Sequence, residues 1–169
     1  MTTFDPSSPA PVPAILTPQE QQAVWFLGAL IHVRVGGGST GGRLAVLEHT
    51  GPRGYSSPVR VHKADEETFF ILDGSVRVEV GDRAFNAGPG AVAFLPRQIQ
   101  HAFVVTSPQA RLLTLHTPSG FDDFTLAAGT TAASPFTVPP AELPPDPGAL
   151  AAIAASYGIE ILGPPPLPP

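Results

Sequence analysis

The chain has 169 residues and a formal net charge of −5, and this length favours a single domain. Its nine basic residues are scattered, which argues against nucleic acid and anionic membrane surfaces as partners. The absence of cysteine excludes disulfides, thiolate metal sites and a cysteine nucleophile. The N-terminus lacks the features of a secretory signal, and no apolar run has the length of a membrane span. We therefore expect a cytoplasmic protein.

The predicted elements begin after a Pro/Ser-rich arm at residues 1–22. Strand candidates then follow at short intervals over residues 23–118, and Gly, Pro or Asp separates most of them. This pattern indicates an all-β sandwich or barrel. Residues 119–169 form a C-terminal extension, in which Asp146, Pro147 and Gly158 predict one helix at about 147–157. Such an appendage often covers the edge of a neighbouring subunit, so we expect a homodimer.

Four polar residues of the strand region are candidates for a common site. Arg60 and His62 share one face of a strand, and Glu67 and His101 lie on other strand candidates. If these strands line one interior, His62, Glu67 and His101 converge. Two imidazoles and one carboxylate suit Fe, Mn, Ni or Zn. Taken singly, each residue is more often a hydrogen-bonded strand residue than a ligand.

The spacing of these residues resembles the first of the two sequence motifs of the cupin superfamily. That motif is Gly, five residues, His-x-His, three or four residues, Glu, six residues, Gly. Here Gly54 is followed after five residues by Arg60-x-His62, after four more by Glu67 and after six more by Gly74. Every position matches except that of Arg60.

The second cupin motif is matched in spacing but not at every residue. Gly90, Pro96 and His101 stand at the expected intervals, whereas Gln98 replaces a Gly and Val105 replaces an Asn. Over roughly residues 24–163 the chain resembles small single-domain cupins similar to quercetin 2,3-dioxygenase. The resemblance implies a double-stranded β-helix, the jelly-roll barrel, with a short C-terminal helical appendage.

The family's metal ligands carry over to this sequence with one departure. The resemblance assigns His62, Glu67 and His101 to the metal, and Arg60 replaces the first His. A guanidinium donates hydrogen bonds, accepts none and stays protonated, so it cannot coordinate. A unit charge about 5 Å from a dication repels it by roughly 6 to 7 kcal/mol at an effective dielectric near 20.

Three interpretations therefore stay open. In the first, Arg60 pairs with Glu67, no metal binds, and these two residues with His62 and His101 perform isomerase or cyclase chemistry. In the second, His62, Glu67 and His101 hold one divalent transition metal for a quercetinase-like dioxygenase, and Arg60 grips an anionic substrate. In the third, the barrel binds a ligand without catalysis.

The expected substrate is a small aromatic or polyketide-like molecule of secondary metabolism. Phe69, Phe94 and Phe103 are expected to line the interior, either as plain core or as a hydrophobic wall for this ligand. His49 is a further substrate-binding candidate, because strand parity can point it inward. Asp65 is interpreted as a solvated loop charge.

Overall fold

The computed structural model describes residues 9–134, 136–139 and 145–168. Residues 1–8 of the expected arm, and residues 135, 140–144 and 169 of the expected extension, lie outside the described residues. Among the described residues the chain forms two antiparallel sheets and three short helices. The expected all-β jelly-roll fold with a short C-terminal helix is confirmed.

The larger sheet has seven strands in the order β11-β1-β2-β3-β10-β5-β8. In chain order these are β1 (Ala23–Phe26), β2 (Ala29–Val35), β3 (Ala45–Pro52), β5 (Glu66–Asp73), β8 (Val92–Leu95), β10 (Gln109–Thr117) and β11 (Thr130–Thr131). The smaller sheet has the order β12-β4-β9-β6-β7. Its strands are β4 (Val59–His62), β6 (Val76–Val80), β7 (Arg83–Ala87), β9 (His101–Val105) and β12 (Ile159–Gly163).

Strand alternation decides which side chains enter the space between the sheets. On β5, Glu67, Phe69 and Ile71 are buried, whereas the intervening Phe70 is 38% exposed. Successive strand residues point to opposite faces of a sheet, so a period of two sorts them. The same rule turns Arg60 and His62 of β4 inward.

Two apolar clusters fill the interior, and the polar residues lie between them. Phe69 belongs to the first cluster and is two residues from Glu67. Phe121 belongs to the second, and its ring stacks on His116 with the centroids 4.2 Å apart. The charged residues are therefore enclosed by apolar side chains on both sides.

The helices α1 (Gly37–Thr40), α2 (Phe121–Ala128) and α3 (Pro147–Ser156) follow local sequence signals. The side chain of Asp146 accepts a hydrogen bond from Ala149 N at 2.7 Å and caps α3, with Pro147 in its first turn. Leu150 and Ala154, four residues apart, form the buried face of α3. With α2 they close one end of the barrel. Among the described helices, none has the length and apolar character needed to cross a bilayer.

Candidate active site

The four residues expected to converge are brought together between the two sheets. Arg60 and His62 come from β4 and His101 from β9, whereas Glu67 comes from β5 of the opposite sheet. Arg60 is 5% exposed, and the other three are 1–2% exposed. Arg60 and His101 are also direct cross-strand neighbours. The site is thus a polar contact between sheets, shielded from water.

The guanidinium of Arg60 is the centre of this contact. Its Nη2 donates to Oε2 of Glu67 at 2.7 Å, and its Nε donates to Nε2 of His62 at 3.1 Å. Its Nη1 donates to Oγ of Ser57. Arg60 therefore uses the lone pairs of two residues that the family resemblance assigns to a metal.

His101 has a hydrogen-bond acceptor on each side of its ring. Its Nδ1 lies 2.9 Å from the carbonyl oxygen of Ile99, and its Nε2 lies 3.0 Å from Oε2 of Glu67. A carbonyl and an ionised carboxylate only accept. The first contact requires a proton on Nδ1, and the second requires a proton or a metal cation between Nε2 and Oε2.

Asp65 is not the solvated loop charge that the sequence suggested. It is 7% exposed, and its Oδ2 accepts from Nδ1 of His62 at 2.9 Å and from Nδ1 of His116 at 3.0 Å. Burial alone would raise the pKa of Asp65, but the hydrogen bonds from these two imidazoles lower it to about 2. The ionised carboxylate fixes both rings with their Nδ1 protons directed toward it.

A continuous chain of hydrogen bonds extends from Asp65 to Tyr55. Nε2 of His116 lies 3.1 Å from Oγ1 of Thr114, which lies 3.0 Å from Nε2 of His49. Nδ1 of His49 lies 2.7 Å from the hydroxyl of Tyr55. Burial lowers the pKa of His49 to about 3 and raises that of Tyr55, so both are neutral. Tyr55 donates to His49, and His49 donates to Thr114. Thr114 then donates to His116, which donates to Asp65.

Glu67 is an ionised carboxylate with one oxygen left over. Burial opposes its ionisation, but the charge of Arg60 and the hydrogen bond from His101 hold its pKa well below the usual value. Its Oε2 accepts from Arg60 and contacts His101. Its Oε1 is buried and has no hydrogen-bond partner among the described residues. Buried polar atoms are normally paired, so this oxygen needs a functional explanation.

Two buried groups in the described structure could hold a metal by distance alone: His62, Glu67 and His101, and also His62, Asp65 and His116. The first group does not fit a dication in the observed arrangement. Arg60 already donates to His62 Nε2 and to Glu67 Oε2, and its charge repels a metal at that place. A proton between His101 and Glu67 adds one positive charge beside the guanidinium, whereas a metal ion adds two.

A small cavity of about 30 Å³ adjoins the charged pair. Six polar residues contribute to its lining: His49, Tyr55, Ser56, Ser57, Arg60 and Glu67. Since one water needs about 10–15 Å³, the cavity has room for about two water-sized groups. An aromatic ring system does not fit inside it.

The expected aromatic lining is only partly inside the barrel. Phe69 and Phe103 are buried, and Phe103 also lines the cavity. Phe94 is 58% exposed, so the expectation that it lines the interior is wrong. Its neighbours on β8, Ala93 and Leu95, pack toward the core instead. Cross-strand pairing explains this, because Glu67 and Phe69 face Leu95 and Ala93.

The sequence analysis did not place Tyr55, Ser57, Asp65, Thr114 or His116 in the site. Strand alternation could have predicted the burial of two of them, because Thr114 and His116 alternate with exposed or half-buried residues on β10. Tyr55 and Ser57 lie between β3 and β4, where no periodic pattern exists.

Comparisons with known proteins agree with this architecture. Residues 46–116 match the cupin domain family, whereas no match was found among curated proteins. Solved structures of similar fold include the polyketide cyclase RemF from Streptomyces resistomycificus, with 23% identity and a TM-score of 0.53 over 64% of this chain and 81% of that one.

Two further structures share the fold. KdgF from Halomonas sp. has 18% identity and a TM-score of 0.51 over 57% of this chain and 85% of that one. A predicted oxalate decarboxylase from Thermotoga maritima has 13% identity and a TM-score of 0.58 over 62% and 99%. At these identities the likeness is one of fold. Together with the match at residues 46–116, it supports a cupin-like fold for this barrel.

Proposed function

We propose that the protein is a small-molecule enzyme that performs metal-independent acid–base chemistry of the isomerase or cyclase type on a carbonyl compound. The observation that carries this proposal is the state of Glu67. Arg60 and His101 contact its Oε2, while its buried Oε1 has no hydrogen-bond partner among the described residues. The carboxylate is therefore held in place through Oε2, whereas Oε1 lies 3.5 Å from Nε2 of His116 and makes no hydrogen bond.

Arg60 supplies the electrophilic half of this chemistry. A guanidinium has five N–H donors, and Arg60 uses three of them on His62, Ser57 and Glu67. The other two have no acceptor among the hydrogen bonds formed by the described residues. Since Arg60 lines the cavity, these donors can bind a carbonyl oxygen and stabilise the negative charge that develops on it.

Glu67 supplies the base. Its Oε1 removes a proton from the carbon next to the carbonyl, and the electron pair of that C–H bond moves onto the oxygen held by Arg60, giving an enolate. In a substrate with a double bond next to that carbon, return of the proton to the far end of the conjugated enolate moves the double bond and completes an isomerisation. Attack of the enolate carbon on a second carbonyl of the same molecule forms a C–C bond, and the proton on Glu67 then neutralises the new alkoxide.

His62 and His101 act in this proposal through the residues they hold. Neither is among the residues that line the cavity, so they do not contact the ligand. His101 contacts Oε2 of Glu67, and His62 accepts from Arg60 while Asp65 holds its other nitrogen. They are positioning residues. Arg60 stabilises the developing negative charge, and Glu67 acts as the base.

Two observations support a carbonyl compound as the ligand. The cavity beside Arg60 has room for a small oxygen-bearing group. A polyketide cyclase is among the structures of similar fold, and polyketides carry activated C–H groups between carbonyls. Because that likeness is one of fold, the proposal rests on the geometry of the site.

Hydrogen–deuterium exchange tests the proposed function. 2-Acetylnaphthalene carries a methyl ketone whose protons exchange slowly with neutral D₂O, and NMR follows their loss. We expect metal-depleted protein to accelerate the exchange, Glu67→Gln to abolish the acceleration, and Glu66→Gln, a change at a half-exposed neighbour, to preserve it.

Two results would overturn the proposal. Acceleration that depends on added Fe, Mn, Ni or Zn would favour the metal-dependent dioxygenase-like site. Binding of the ketone with no acceleration by any form of the protein would favour a non-catalytic ligand-binding cupin.

A further inference from the structure

An apolar groove of about 730 Å³ lies beside the start of α3 and the end of β12. Its described walls come from the β1–β2 turn, the start of α3 and the end of β12. The larger apolar side chains are those of Trp25, Phe26, Leu27, Leu150, Ile161 and Leu162, and six prolines also line the groove. Its volume is in the range of sites that bind drug-sized molecules, whereas the inner cavity is far below that range.

The groove and the inner cavity share a wall. Six residues line both spaces: Phe26, Leu27, Ser56, Pro58, Leu150 and Ile161. On the inner side of this wall the cavity reaches Arg60 and Glu67. The molecule therefore has an apolar groove outside and a buried guanidinium directly behind it.

We propose that the groove binds the flat, apolar ring system of an aromatic ketone or acid, whose oxygen-bearing group passes the shared wall and meets Arg60. The size mismatch is the main reason, because the inner cavity accepts only the small polar end of such a ligand. Charge complementarity supplies the orientation, since the guanidinium attracts a carbonyl or carboxylate oxygen. This inference rests on the proposed function only for the role of the oxygen-bearing end.

Trp25 provides a local reporter of groove binding. It is the only tryptophan of the chain, it lines the groove, and its indole N–H donates to the carbonyl of Thr137 at 2.9 Å. A ¹⁵N-labelled sample therefore has a single indole N–H resonance. We expect 2-naphthoate to shift this resonance saturably, with the dissociation constant that calorimetry gives.

Two matched variants locate the ligand. Leu162 is 48% exposed and lines the groove, and Leu167 is 86% exposed and does not. Leu162→Asp should weaken naphthoate binding by about tenfold or more, because a leucine contact is lost and a like charge is added. Leu167→Asp should bind as the wild type does.

A third variant tests the orientation. Arg60→Met combined with Glu67→Gln removes both charges together and avoids leaving either one buried alone. It should remove the preference for 2-naphthoate over 2-methylnaphthalene while the indole resonance still shifts with both probes.

Three results would overturn the inference: naphthoate that binds without shifting the indole resonance, naphthoate that binds Leu162→Asp as tightly as the wild type, or a preference for naphthoate that survives in the double variant. Deuterium exchange separates this inference from the proposed function. If naphthoate binds the groove but the protein does not accelerate deuterium exchange, this inference holds and the proposed function is refuted. If Leu162→Asp accelerates exchange as the wild type does, the proposed function holds and this inference is refuted.

Discussion

The guanidinium of Arg60 lies 2.7 Å from Oε2 of Glu67, and this ion pair joins the two sheets of the barrel. The side chains of the two residues are 6% and 1% exposed. Such a pair is costly to desolvate, but breaking it by removing one partner is costlier still. The pair therefore links the two sheets at this point of the barrel.

A double-mutant cycle should reveal this coupling. We expect Glu67→Gln to lower the free energy of unfolding by about 3 to 5 kcal/mol, because it leaves the Arg60 charge buried without its partner. Adding Arg60→Met should recover part of this loss. Glu66→Gln disrupts a half-exposed pair with Arg97 and should cost no more than about 1 kcal/mol. If urea titrations show that the double variant loses as much unfolding free energy as the two single variants together, the two residues are not coupled.

Asp65 should contribute to stability against acid. Its pKa is lowered to about 2 in the folded protein from an ordinary value of 3.8. A carboxyl group whose folded pKa is depressed adds stability above the unfolded pKa, and this stability is lost as the pH falls toward the folded pKa. The difference corresponds to about 2 kcal/mol.

Asp65→Asn tests this contribution. We expect the variant to be less stable than the wild type at pH 6, with the gap narrowing between about pH 4 and pH 2. Denaturant titrations across that range measure the gap. A gap that stays constant as the pH falls would show that Asp65 acts through packing rather than through its charge.

The expected homodimer is still a prediction, and the outer face of β8 offers its test. Val92 and Phe94 are 61% and 58% exposed, and pairing with β5 places Val92 beside the exposed Phe70. β8 is the last strand of its sheet, and exposed apolar patches on edge strands favour association.

Light scattering during gel filtration checks this association. We expect a dimeric mass for the wild type and for Leu167→Asp, and a monomeric mass for Phe94→Asp. A monomeric wild type would refute the dimer, and a dimeric Phe94→Asp would place the interface elsewhere.

The convergence of Arg60, His62, Glu67 and His101 could be predicted because their spacing resembles the cupin motifs and strand parity places Arg60 and His62 on one face. Parity gave no information for β8, where Val92, Ala93, Phe94 and Leu95 are all apolar. Only the pairing of Leu95 with Glu67 decides which of them face the core.

The burial of Asp65 could not be predicted for a different reason. It lies in the bend between β4 and β5, outside any periodic pattern, and a loop aspartate is usually solvated. Its partners His62 and His116 come from opposite sheets. The environment that buries it exists only after the sheets have packed.

Metal analysis tests the central claim most directly, namely that Arg60 keeps the site free of metal by occupying the lone pairs of His62 and Glu67. The wild type and Arg60→His should be produced with Fe, Mn, Ni and Zn supplied and then dialysed extensively. We predict that the wild type retains only trace metal and that Arg60→His, which gains a fourth ligand beside His62, Glu67 and His101, retains a stoichiometric amount. Stoichiometric metal in the wild type would contradict the account.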